Sequence, residues 1–428
     1  MKTFLQPLQN LAEMEEIQKQ AKKNRGILEI SGCMESQKAH LMYGLSGLFP
    51  CHLVIAADEK SAKELYEDYR FYDKRVYYYP AKDLLFFQAD IHGNLLIRQR
   101  MQVIRALLER EDEITVVTSI DGCMDYLAPL EKIEKQLIHF RNDSTLDMDK
   151  LTAALVHMGY ERVGQVEMPG QFSIRGGIID IYSLTEENPW RIELWGDEID
   201  SIRSFDAQSQ RSLENLDDVT IYPAAEQPME KNGVSFLDYF KETETLFFLD
   251  ELNHLEENAK AVQEEFQQSC ENRKEKGEIS LSGDWMCTWE ELCYKINDRN
   301  CVAMSLLDPK KSNWKISDQF NITVKSMSSY QSSFELLVKD LKQYKKEGYQ
   351  IVLLSGSRTR AERLAKDLQE EGLNAFYGQD SDRILQPGEI MVAYGHAQRG
   401  FEYPLVKFAV ITETDIFGKE QKKRKKKK

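Results

Sequence analysis

Two short stretches carry residue types that could handle a nucleotide. The first is Ile30-Ser31-Gly32-Cys33-Met34-Glu35-Ser36-Gln37-Lys38-Ala39, which follows an apolar run and leads into a helical pattern. A phosphate loop needs a glycine, four residues, then Gly-Lys-Ser/Thr between a strand and a helix. Gly32 and Lys38 stand at two of those positions, but Gln37 replaces the second glycine and Ala39 replaces the hydroxyl residue. Gln37 hinders the backbone conformation that turns N–H groups toward phosphate. Ala39 removes a magnesium ligand, and Glu35 adds negative charge where phosphates would sit. The second stretch is Leu246-Phe247-Phe248-Leu249-Asp250-Glu251, four apolar residues followed by the acidic pair with which a nucleotidase holds magnesium and polarises water. Beside so altered a loop it reads as a buried strand whose acidic end faces solvent. ATP hydrolysis is not expected.

A different chemistry is suggested further along. In Gln171-Phe172-Ser173-Ile174-Arg175, alternation puts Phe172 and Ile174 on one face and Ser173 and Arg175 on the other. In Trp190-Arg191-Ile192-Glu193-Leu194-Trp195, the apolar face is Trp190, Ile192 and Leu194, opposite Arg191, Glu193 and Trp195. A solvent face rarely needs tryptophan, and tryptophan with arginine is the pairing enriched at interface hot spots. Two readings stand: a docking surface, or a ladder of salt bridges and cation–π contacts on an exposed sheet. No nucleophile with a partner base is evident nearby.

The elements that would position these residues follow from periodicity. Helix is expected over 8–23, 37–48, 59–72, 253–274, 334–347 and 359–371, and strand over 27–30, 53–57, 76–79, 114–118, 246–249, 351–355, 390–392 and 408–411. Alternating helix and strand imply a parallel α/β sheet. Residues 170–206 instead show short alternating strands with turn signals at Gly176-Gly177, Glu187-Asn188-Pro189 and Gly196-Asp197, an antiparallel insert. The segment 275–330 is less regular, and a separate compact βαβ unit begins near Gln331 and ends at Gly418. The division expected is an α/β domain over 1–130 and 225–328, a β-rich insert over 131–224, a small α/β domain over 331–418 and a basic linker over 419–428.

Composition bounds the function classes. Hydrophobic residues are 42% and charged residues 30%, a globular balance, and no apolar run reaches the roughly 18 residues of a membrane span. The N-terminal stretch lacks the features of a secretory signal, so a cytoplasmic protein is expected. Cys33, Cys51, Cys123, Cys270, Cys287, Cys293 and Cys301 are odd in number and scattered, which speaks against a disulfide framework. Cys287, Cys293 and Cys301 have no histidine at ligand spacing, so no metal site is expected. Net charge is −15, and −22 once the seven positive charges of Lys422–Lys428 are set aside. A body that acidic repels the phosphate backbone and argues against broad DNA binding by this chain.

Gly170-Gln171-Phe172-Ser173-Ile174-Arg175-Gly176-Gly177-Ile178-Ile179-Asp180-Ile181 resembles the RGxFxxRGxxxDI segment shared by the UvrB excision-repair subunits and the bacterial transcription-repair coupling factors. The run Arg191 to Arg203, then Phe205-Asp206 and Ser209-Gln210-Arg211, continues the resemblance. Val410-Ile411-Thr412-Glu413-Thr414-Asp415-Ile416-Phe417-Gly418, followed by basic residues, looks like the segment before the polymerase-interacting domain of the coupling factors. The degenerate loop fits that family as well, and so does the direct run from Tyr77-Tyr78-Tyr79-Pro80 to Ala81-Lys82-Asp83, without UvrB's long aromatic hairpin.

The resemblance implies a helicase-like α/β domain split by an insert that binds UvrA, the damage-recognition subunit. Arg175 and Arg191 match the family's contacting arginines, Trp195 its aromatic position and Glu193 an acidic contact. Ser173 stands where UvrB has arginine and is given no role. Gly32, Gln37, Lys38, Ala39, Asp250 and Glu251 would be the remnant nucleotide site. The resemblance also implies that RNA polymerase, double-stranded DNA and an ATP- and magnesium-dependent motor engage regions beyond residue 428. This chain is then expected to be a monomeric, non-catalytic fragment without cofactor or membrane partner. The UvrA-binding face, which a C-terminal domain covers in the family's resting state, is expected to be open here. The alternatives are a UvrB-like ATP-dependent damage-binding helicase, or a metal-dependent hydrolase using Asp250 and Glu251.

Overall fold

The computed structural model describes residues 1–23, 26–82, 94–226, 233–276, 286–308, 314–378 and 382–418. The basic linker at 419–428 and Asp83 lie outside them.

Six of the seven strands in the front sheet are strongly apolar, as a sheet covered on both faces requires. Their order is Ile316–Asn321, Gly26–Ser31, Asn300–Ser305, Thr245–Asp250, Cys51–Ala56, Ile114–Ser119 and Val76–Tyr79. Every pairing is parallel. Thr245–Asp250 and Asn300–Ser305 lie between Gly26–Ser31 and Cys51–Ala56, so chain from both sides of the insert completes one sheet. One face buries Leu53, Ile55, Val116, Phe247 and Leu249 beneath the helices Asn94–Leu108, Leu252–Glu275 and Trp289–Asn297. The other buries Leu28, Ile30, Val54, Phe248 and Met304.

Two expectations are corrected here. The single helix expected over 8–23 is two, Lys2–Gln9 and Met14–Lys23, with Leu11 buried in the break between them. The less regular segment 275–330 contributes the helix Trp289–Asn297 and the strands Asn300–Ser305 and Ile316–Asn321. Asn300–Ser305 is uniformly apolar at its centre and lies inside the sheet, where alternation gives no signal.

The insert sheet runs Ser212–Leu216, Glu198–Phe205, Trp190–Trp195, Ile178–Ile181, Gln171–Arg175, Glu161–Arg162. It is antiparallel except for its last pairing. The two-stranded pair Ile138–Arg141 and Asp218–Ile221 closes its base, and the helix Met148–His157 packs Leu151 and Leu155 on the sheet's apolar face.

The C-terminal unit begins earlier than Gln331. Its sheet runs Lys325–Ser326, Phe401–Tyr403, Phe408–Thr412, Gln350–Ser355, Glu389–Tyr394, Asn374–Tyr377. It is also not separate: Phe401, Tyr403, Phe408 and Val410 share one buried apolar cluster with Phe4, Met42, Tyr72 and Val54 of the front domain.

Candidate docking face and remnant nucleotide site

The hairpin Trp190–Trp195 to Glu198–Phe205 turns at Gly196, whose φ of +64° is a left-handed conformation that suits glycine. Trp195, directly before that turn, is 83% exposed, while Trp190 and Ile192 from the same strand are buried. Arg175, Arg191 and Glu193 project from the same side of the sheet as Asp180, which is cross-strand partner to both Ser173 and Arg191.

Asp180 organises the face. Its carboxylate is 1% exposed and accepts from Arg191 Nε at 2.7 Å and Nη2 at 2.9 Å, and from Arg175 Nη2 at 2.6 Å. Arg191 is further held by Gln210 Oε1 at 3.1 Å and lies 4.4 Å from the Phe205 ring centroid. Paired and stacked in this way, the Arg191 guanidinium is rigid at little further entropic cost. Arg175 remains 48% exposed while Arg191 is only 15% exposed, so Arg175 offers the more accessible charge. Glu193 accepts from Arg203 and from Ser201. Ser173 is not part of the exposed face: it is buried and donates to the Gly164 carbonyl at 3.0 Å. Asp180 and Arg203 belong to the face although neither is a site residue on sequence spacing alone. Their role depends on cross-strand register, which spacing along one strand does not disclose.

A buried charge network joins the insert to the front domain. Arg100 is fully buried and donates to Glu226 at 2.6 Å, to Asp125 at 2.8 Å and to the Pro80 carbonyl at 2.9 Å. Lys82 also pairs with Glu226. Burial would raise the Glu226 carboxyl, but the two cations outweigh it and bring the group down to about 2. Glu226 sits where the chain leaves the insert, so this network pins the insert's exit.

The residues expected to form a remnant nucleotide site are brought together, and they engage one another. Lys38 Nζ lies 2.6 Å from Asp250 and 2.6 Å from Glu251. Burial favours the neutral amine, yet the two carboxylates prevail and hold the Lys38 pKa above its ordinary value. The expectation that this acidic end faces solvent is corrected, since Asp250 is buried against Lys38.

Three of the loop's N–H groups are also spent within the chain. Those of Gly32 and Cys33 donate to the carbonyls of Leu306 (3.3 Å) and Ser305 (3.1 Å), and that of Met34 donates to Gln37 Oε1 at 3.1 Å. Gly32, at φ +81°, lies so close to the next strand that a Cβ would meet the Ile322 carbonyl oxygen at 2.3 Å. Ala39 is fully buried. The cleft that remains, about 350 Å³, is lined by Glu35, Glu64, Asp68, Asp250 and Glu251 against Lys38 and Arg399, a lining that repels a polyphosphate. Cys287, Cys293 and Cys301 are buried core residues.

Residues 138–226 match the model of the UvrB interaction domain family. The chain is 30% identical to the transcription-repair-coupling factor of Bacillus subtilis, with 93% of this chain and 40% of the relative covered. It is 25% identical to that of Staphylococcus haemolyticus, over 82% of this chain and 34% of the relative. The chain thus spans well under half the length of these relatives. A solved structure of the DEAD-box helicase Mss116 bound to ssRNA and UDP-BeF matches at 9% identity with a TM-score of 0.21, covering 92% of this chain and 64% of that one. So slight a likeness carries no argument. The family resemblance rests instead on sequence: the chain is similar over nearly its whole length to the N-terminal region of the transcription-repair-coupling factors, with a UvrB interaction domain at residues 138–226.

Proposed function

We propose that this chain is the recruiting part of a cytoplasmic transcription-repair coupling factor, and that it docks the UvrA excision-repair subunit through the insert face of Arg175, Arg191, Glu193 and Trp195. The observation that carries the reading is Trp195: an 83% exposed tryptophan at a hairpin turn, on a face whose guanidiniums are already oriented by a buried carboxylate. A solvent-facing indole exposes apolar area that a partner can bury, and Arg175 can make charge-assisted hydrogen bonds to partner carboxylates. RNA polymerase, double-stranded DNA and the ATP-driven motor belong, in this reading, to sequence beyond residue 428. The test is a binding titration of the chain, as a monomer in solution, against purified UvrA, with Arg175→Ala/Arg191→Ala alongside. Saturable binding that the double variant abolishes supports the reading. A folded wild-type chain that fails to bind UvrA at micromolar concentration rules out the recruiting role.

The front domain is proposed to be without nucleotide hydrolysis and without a cofactor. Support comes from the N–H groups of Gly32, Cys33 and Met34 donating to protein carbonyls and to Gln37, and from Lys38 being held by two carboxylates. Calorimetric titration with magnesium-ATP checks this; measurable binding at Lys38 would favour the ATP-dependent helicase alternative.

A further inference from the structure

The seam between the front domain and the C-terminal unit runs directly over the altered phosphate loop. Gln37 Nε2 donates to the Tyr403 hydroxyl oxygen at 3.0 Å, and that hydroxyl is 3.1 Å from His40 Nδ1. His40 Nε2 is 2.8 Å from the Phe4 carbonyl, which can only accept. Nε2 therefore carries the proton, and Nδ1 accepts from Tyr403. The result is a directed chain from Gln37 through Tyr403 and His40 to Phe4, fully satisfied and fully buried. Beside it, the Arg399 N–H donates to Ser36 Oγ at 2.9 Å and the Gln398 N–H donates to Asp68 Oδ1 at 2.8 Å. The His40 ring stacks with Phe401 at 5.3 Å and Phe408 at 5.8 Å between centroids. Gly395 comes so near the Phe71 ring that a Cβ there would meet it at 2.1 Å. The turn bearing these donors is itself tied down, because Asp415 accepts from the Gly400 N–H at 2.8 Å and from Thr412 Oγ1 at 2.7 Å.

We propose that the phosphate loop and its helix have been converted from a nucleotide site into a permanent latch, which holds the C-terminal α/β unit closed on the front domain with no ligand required. The two departures from the phosphate-loop pattern are the ones this seam uses. A glycine at 37 would have no amide to bridge Met34 and Tyr403. A serine or threonine at 39 would place a hydroxyl in the wholly buried apolar cluster shared by both units. Where a nucleotide gates closure, the closed state forms only when the ligand binds it preferentially. Here protein groups supply those contacts, so the front domain and the segment ending at Gly418 move as one body.

Hydrogen exchange measured by mass spectrometry on the full chain tests this, with Tyr403→Phe as the probe. Removing the hydroxyl breaks both of its hydrogen bonds and keeps the ring. Exchange is expected to accelerate about tenfold or more on both sides of the seam, in 36–43 and in 395–403, with 171–205 unchanged. Magnesium-ATP at millimolar concentration is expected to leave the wild type unaltered at 31–39. Acceleration confined to one side of the seam, or protection of 31–39 by magnesium-ATP, would overturn the latch. Should Tyr403→Phe not fold, Ser36→Ala removes the acceptor for Arg399 and is read at the same peptides.

Discussion

Asp180 shows how one hidden side chain sets the properties of an exposed face. It is the shared acceptor of two guanidiniums on the two strands that flank its own, which would otherwise repel each other across it. Asp180→Asn removes the charge, keeps the shape and leaves Arg191 partly buried without its counter-ion. We expect a loss of about 2 kcal/mol in stability by urea denaturation, together with weaker UvrA binding that the lost rigidity of Arg175 explains. Unchanged stability would show that the pair is idle. Trp195 behaves oppositely. It packs on little within the chain, so Trp195→Ala is expected to leave the melting temperature unaltered while weakening UvrA binding by about 30-fold, the equivalent of about 2 kcal/mol. A melting shift of several degrees with intact binding would make it a structural residue instead.

Among the elements, the loop between the strand Gly26–Ser31 and the helix Glu35–Leu45 is the one whose form departs furthest from what its motif suggests. Restoring the motif with Gln37→Gly and Ala39→Ser does not free the N–H groups of Gly32 and Cys33, which remain bonded to the Leu306 and Ser305 carbonyls. Nor does it release Lys38 from Asp250 and Glu251. The double variant is expected to show no ATP turnover above background in a phosphate-release assay, and to lose about 2 kcal/mol from the missing Gln37 bonds and the buried hydroxyl. Turnover in that variant would mean that the motif residues alone had been limiting. The insert depends on its own junction. Glu226→Gln leaves Arg100 buried with half its neutralising charge, and an expected cost of about 3 kcal/mol makes thermal denaturation the simplest check.

At the scale of the whole molecule, the seam contains groups whose titration opposes. Burial lowers His40 to about 4, below its usual 6.5, so the unfolded chain binds the extra proton and His40 subtracts stability as pH falls from about 6.5 to about 4. His52, also brought down to about 4 by burial, acts in the same window and direction. Asp68 is raised by burial from 3.8 to about 7, so its favourable contribution is complete below about 3.8 and is lost as pH rises through about 7. Asp68→Asn keeps an acceptor for the Gln398 N–H but does not ionise. Its melting temperature relative to wild type is therefore expected to improve from pH 5 to pH 8 and then level off. A constant difference between the two chains across that range would show that Asp68 does not titrate at the seam.

Much of this architecture was legible in the chain alone, for a local reason. Apolar runs such as Leu53 to Ala57 and Ile351 to Ser355 are too short for ordinary helices and fit strands of a sheet covered on both faces, and the helix over Glu59–Tyr72 carries its own cap in Asp58. The alternation along Trp190–Trp195 likewise separated the buried residues from Trp195 without any tertiary information. The lost glycine and hydroxyl of the phosphate loop were visible as substitutions. What those substitutions do was decided only by the tertiary structure. Gln37 and Tyr403 are 366 residues apart in sequence, Lys38 and Asp250 are 212 apart, and Asp180 meets Arg191 across a strand pair. Periodicity reports which side of an element is apolar, because burial acts on each side chain. It does not report which distant polar group completes a buried hydrogen bond, because that depends on how whole sheets are placed against one another.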